Sequence, residues 1–106
     1  MLVVTSELIA GKRIVRSLGV VQGNTVRARN IGRDIAALLR ALIGGEIPEY
    51  VKLMADARKQ SIVRMTEAAE ALGANAVIAA RFNTSMVAQG SAELLATGTA
   101  VIVEDV

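Results

Sequence analysis

The sequence predicts an α+β domain, an antiparallel β-sheet packed on two helices in the order ββααββ. Three observations carry that prediction. Residues 12–28 are rich in β-branched side chains, Pro48 to Leu72 shows helical periodicity, and two apolar stretches, 75–87 and 92–104, flank a turn at Gln89-Gly90. The chain has 106 residues, enough for one domain, 1–106.

The elements follow in order. Met1–Val4 reads as a short strand. Residues 12–28 carry Ile14, Val15, Val20, Val21, Thr25 and Val26, interrupted by Gly19 and by Gly23-Asn24, which predicts a long strand with a bulge or a bent hairpin. Asn30 offers a capping oxygen to a first helix over 31–43, which Gly44-Gly45 can stop. That helix has only Arg33, Asp34 and Arg40 as charges, so it is apolar over more of its circumference than a surface helix needs. The second helix starts at Pro48, a residue suited to the first helical position, and stops at Gly73. Its expected buried stripe is Val51, Met54, Ala55, Ile62, Met65, Ala69 and Leu72, with Glu49, Lys52, Asp56, Lys59, Glu67 and Glu70 opposite.

The last two strands lack the alternation of a half-wet sheet. Val77–Ala80 and Ala100–Val103 are apolar at every position, which predicts two mostly dry faces. Two helices can cover one of them. The surplus predicts a homo-oligomer, because symmetric self-association is the common way to bury such a surface.

Composition excludes several chemistries. Hydrophobic residues make up 53% of the chain and aromatics 2%, and there is no Cys, His or Trp. Disulfides, thiolate or imidazole metal sites and Cys–His or Ser–His catalytic pairs are therefore out of reach. No cofactor is expected. The net charge of +2 is spread along the chain with almost no ring to stack a base, which argues against nucleic acid as a partner. No run approaches the roughly 20 apolar residues of a membrane span, and Glu7, Lys12 and Arg13 break up any secretory signal. A cytoplasmic location is expected.

Gly73-Ala74-Asn75-Ala76-Val77-Ile78 followed by Gly98-Thr99-Ala100-Val101 resembles the YbjQ-like family, labelled heavy-metal-binding. Gly44-Gly45-Glu46 with Tyr50, Ala57-Arg58, Met65, and the early Thr5, Gly11, Gly19 and Gly23 fit the same family over nearly the whole chain. The resemblance implies a dodecin-subunit-like fold and assembly of five subunits into a β/α-propeller-type ring. Family members often carry a tyrosine before Gly98, where this chain has Thr97. The metal label finds little to rest on: soft metals take thiolate, imidazole or thioether, and of these only four Met are present.

Five residues are candidates for ligand binding. Arg58, placed between Ala55 and Ile62, would face the buried stripe as an anion-binding guanidinium, or pack its stem and pair its head with a carboxylate. Arg81, Asn83 and Ser85 alternate on one strand, and Glu93, Thr97 and Thr99 on the next. Whether the two sets share a face depends on the parity of the turn, since one residue of slip swaps faces. If they share it, Arg81, Asn83, Glu93 and Thr97 form a polar patch for a small polar ligand; otherwise they are a solvated hairpin end. The function expected is a non-enzymatic homo-oligomeric ring, of five subunits, binding a small ligand or ion at its boundaries. The alternatives are an enzyme whose site forms only between subunits, and a weak nucleic-acid binder.

Overall fold

The structure is a computed structural model, and it describes residues 1–28, 48–88 and 91–106. Four strands form one sheet: β1 (Leu2–Val3), β2 (Lys12–Ala28), β3 (Ala76–Ala88) and β4 (Ser91–Asp105), in the spatial order β1-β3-β4-β2. One helix, α1 (Pro48–Ala71), lies across the β2 and β4 side of the sheet.

Two points of the expected ββααββ architecture are corrected. The sheet is mixed rather than antiparallel, because β1 pairs parallel to β3, Leu2 beside Ala76 and Val3 beside Val77. A single helix packs on it among the described residues; the helix expected over 31–43, its stop at Gly44-Gly45 and the turn at Gln89-Gly90 lie outside them. The parallel pairing has a physical cause in the connection that follows β1. Val4 donates to the Val77 carbonyl, and the Ala80 and Ala79 amides donate to the carbonyls of Val4 and Ser6. The chain then crosses to the far edge of the sheet, and Ile9 packs with Ile14 and Ile78 against Ala76, Val101 and Val103. β1 and β3 are joined in sequence through β2 and α1, the long connection that a parallel pair requires.

β2 is one continuous strand with register shifts between Ile14 and Arg16 and between Ser17 and Gly19. Gly19 sits there at φ +111°, open to glycine alone at low cost. Gly23, expected to mark a bend, serves close packing instead. A Cβ on it would stand 2.1 Å from the Ser61 carbonyl oxygen and 2.3 Å from the Met65 nitrogen, so α1 rests directly on the β2 backbone.

That contact also turns the helix away from its expected stripe. The residues buried beneath α1 are Ala57, Ser61, Met65 and Ala69, at a strict spacing of four. Small residues must face Gly23, and bulkier Leu53, Met54 and Ile62 are half-buried beside them. Leu72, expected inside, is exposed. The core on this face joins Met65 and Ala69 to Val21, Val77, Ala96 and Ala100.

The helix ends in a Schellman motif. Gly73, at φ +88°, donates to the Glu70 carbonyl and Ala74 to that of Ala69. Asn75 then completes the sheet with its side chain. Its Nδ2 donates to the Val103 carbonyl (2.9 Å) and its Oδ1 accepts from the Val103 amide (2.8 Å), as a neighbouring strand would.

Candidate functional site

The face of the sheet opposite α1 divides in two. Its lower part is sealed by the crossover around Ile9. Among the described residues its upper part is open, and the strand registers fix what it carries. Side chains directly opposite one another in an antiparallel pair share a face, so Gln22–Thr97–Arg81 form one row across β2, β4 and β3. Asn24–Leu95–Asn83 form the next and Val26–Glu93–Ser85 the third. The two polar sets of the hairpin therefore share a face. The expectation of two mostly dry faces holds at the lower end, where Val77, Ala100, Val101 and Val103 are buried in the cores on the two sides, and is corrected here, where polar residues hold most of these nine positions.

Four of the five candidate residues meet here. Asn83 is exposed, and Glu93 and Thr97 are half-buried. Glu93 accepts a long hydrogen bond from Asn24 Nδ2, 3.4 Å. Arg81 is exposed but committed, its Nη1 donating to the Thr5 carbonyl (2.7 Å) and to that of Ala80 (2.9 Å). It thereby ties the N-terminal crossover to a distortion in β3, where the register slips between Ile78 and Arg81 and Ala79 adopts φ +53°. A non-glycine residue there is strained, and the hydrogen bonds of Ala79 and Ala80 to the crossover hold it.

Arg58 is not part of this surface. It projects from α1 on the other side of the sheet, exposed rather than on the buried stripe. Arg81 and Glu93 stand four residues apart along neighbouring strands, about 14 Å at the usual rise per residue. They cannot converge on one atom, so the face offers scattered hydrogen-bonding groups rather than an acid–base pair.

Sequence reasoning missed two polar groups that the structure brings inside. Ser61 and Thr25 are buried, their hydroxyl oxygens 3.0 Å apart, with the Ala57 and Leu94 carbonyls each 3.0 Å from Ser61 Oγ. One hydroxyl can donate to a carbonyl while the other donates to its neighbour, so neither lacks a partner. Ser61 falls four residues from Ala57 and from Met65, and that periodicity was the available signal. Gln22 and Asn24 were also missed as members of the polar face, because nothing in β2 alone shows which side α1 covers.

Comparisons with known proteins place the chain. The YbjQ family model, described as "Putative heavy-metal-binding", matches residues 1–104. A UPF0145 protein of Halorubrum lacusprofundi is 60% identical over 96 residues, covering 91% of this chain and 92% of the relative. Another, of Clostridioides difficile, is 51% identical over 105 residues, covering 99% and 94%. A third, of Dehalococcoides mccartyi, is 49% identical over 104 residues, 98% and 100% of the two chains. None of these three names a reaction. A solved structure of a protein with unknown function from Pediococcus pentosaceus, of the DUF74 family, superposes with a TM-score of 0.70 at 16% identity, over 98% of each chain, and so shares the fold.

The metal in the family description can be tested against the donors present. The whole chain lacks Cys and His. Among the described residues no three acidic side chains gather into a metal-holding group. Of the thioethers, Met65 is buried in the core and Met54 lies eleven residues away on α1, about 16 Å along the helix axis. They cannot share an ion within one subunit. The donor set does not fit a soft heavy metal. No described helix is long and apolar enough to cross a membrane. With the family model spanning nearly its whole length and relatives of 49–60% identity, the chain belongs to the YbjQ, or UPF0145, family.

Proposed function

We propose that the protein is a non-enzymatic subunit of a homo-oligomeric ring of five, and that the open polar face takes up a small polar ligand at the subunit boundaries. The observation that carries the reading is the shape of the single chain. Its radius of gyration is 17.2 Å with extents of 53 × 23 × 16 Å, where a compact domain of this length has about 13 Å. The sheet extends as an arm, and Val15, Val20, Val26 and Phe82 are exposed along it. Contiguous copies would cover those side chains.

Ligand binding rests on the three polar rows. Asn83, Glu93 and Thr97, with Gln22 and Asn24, offer both donors and acceptors on a rigid sheet, and no neighbouring element of the described residues covers them. Native mass spectrometry of gently purified protein tests both parts. The expected spectrum shows one species at five times the 11.1 kDa chain mass, with a small-molecule increment that disappears on partial denaturation. A monomer at micromolar concentration overturns the reading.

A further inference from the structure

We infer that successive subunits are joined edge to edge, the outer edge of β2 in one copy pairing in parallel with the outer edge of β3 in the next. This rests on the oligomeric reading above and names its surface.

The direction of the backbone groups follows from Asn75. Both the amide and the carbonyl of Val103 engage its side chain on the β3 side, so odd-numbered residues of β4 turn their polar groups towards β3 and even-numbered ones towards β2. Residues of β2 opposite the odd ones, namely Val20, Gln22, Asn24 and Val26, therefore turn theirs away from the sheet. The Asn24 carbonyl agrees, since it accepts from Arg64 Nη1 at 2.5 Å rather than from β4. Arg64 closes one acceptor, leaving both groups of Val20 and Gln22 and the Asn24 amide without a strand among the described residues.

On the other side, the N-terminal crossover pairs with β3 only as far as Ala80. Beyond it, Arg81, Asn83 and Ser85 face β4, so Phe82 and Thr84 turn their backbone groups outward. Among the described residues the sheet thus has two open edges of similar length, a feature that soluble proteins ordinarily cover or blunt.

A second copy fits both edges, and the geometry allows one orientation in a ring. β2 and β3 each run antiparallel to β4, so they run in the same direction. Joining the β2 edge of one copy to the β3 edge of the next while keeping each face continuous makes that new pair parallel. Gln22 would then bond the backbone on either side of Asn83, at Phe82 and Thr84. The same join carries the exposed Phe82 ring, on the helix-bearing face, against the outer side of the neighbour's α1, the side from which Arg64 reaches down. A head-to-tail contact of this kind either closes as a ring or grows without limit, and closure removes both edges at once.

The chain has no cysteine, so introduced pairs report cleanly. Gln22→Cys is combined in turn with Asn83→Cys and Ser85→Cys, which scan the register, and with Glu67→Cys on the outside of α1 as a control. Within one chain the β2 and β3 positions lie two strand spacings apart, about 10 Å, beyond the roughly 7 Å that a disulfide spans. Mild oxidation is expected to give a ladder of covalent multiples ending at the assembly mass for a β2–β3 pair, and none for the control. An assembly that persists in native mass spectrometry without such a ladder, or with an equal ladder in the control, overturns edge pairing and leaves the oligomeric reading standing. A monomer in native mass spectrometry overturns both.

Discussion

The two faces of the sheet are built from alternate residues of the same strands, yet they solve different problems. Beneath α1 the positions are Val21, Gly23, Thr25, Leu94, Ala96, Gly98 and Ala100, every one buried. Side chains there are cut back until the helix touches backbone, and the remaining polar groups are paired within the protein. On the reverse, Gln22 and Asn83 are exposed, Thr97 is half-buried, and Asn24 reaches across only to Glu93 by a long hydrogen bond. The covered face therefore carries stability, and the open face is the one to which the proposed ligand binding is assigned. The sharpest tests perturb one face and read the other.

The largest effect is expected at Gly23. Its hypothetical Cβ meets helix backbone, which cannot rotate aside. Gly23→Val should cost about 3 kcal/mol or more, seen as loss of a cooperative thermal transition by circular dichroism. A variant melting with the parent would mean that α1 does not sit where it is described.

Ser61→Ala should cost about 1–3 kcal/mol, because Thr25 is left buried with one partner fewer. Adding Thr25→Val should restore part of that loss, since removing both members of a buried pair is milder than removing one. Chemical denaturation of the two single variants and the double variant gives the coupling; strict additivity would argue against the pair.

On the open face, Asn83→Ala and Thr97→Val should each change stability by less than about 0.5 kcal/mol. The increment of any co-purified small molecule should fall in the same variants. Destabilisation comparable to that of Ser61→Ala would show that this face is covered within the subunit.

The smallest effect is at the sheet's end, where Lys12 pairs with Asp105 at 2.6 Å and Arg13 with Glu104. Lys12, by its hydrogen bond and then its charge, holds the Asp105 carboxyl below its ordinary 3.8. A carboxyl lowered by folding adds stability above its unfolded value, and that contribution is lost as pH falls through the folded one. The Asp105 carboxyl is largely in solvent, so the gain is slight. Urea midpoints of the parent and Lys12→Gln should differ slightly near neutrality and converge well below pH 3.8.

Much of this fold is legible in the residues. Lys12 and Ala28 bound β2 as expected, Pro48 opens the helix, Gly73 closes it, and the hairpin strands fall within one or two residues of their predicted limits. These boundaries are written in local chemistry: a missing amide, a left-handed glycine, a run of β-branched side chains. What was not legible depends on partners distant in sequence. A two-residue β1 has no period, so nothing local says that it lies parallel to β3. The stripe of α1 is set by Gly23, thirty-eight residues before Ser61, so of the expected stripe Met65 and Ala69 are fully buried, Met54, Ala55 and Ile62 half-buried and Leu72 exposed, while Ala57 and Ser61 take the centre. The shared polar face needed the registers of Arg81 with Thr97 and Ser85 with Glu93, which the pattern of either strand leaves open.

Asn75 has a mechanical consequence. Between the glycine that ends α1 and the first paired residue of β3 there are two residues, and one of them bonds the sheet through its own side chain. No slack remains for the helix to swing or slide against the hairpin. The last turn of α1 and the first rungs of β3 should accordingly exchange their amide hydrogens as a single opening event, a rigid joint between the two layers rather than a hinge.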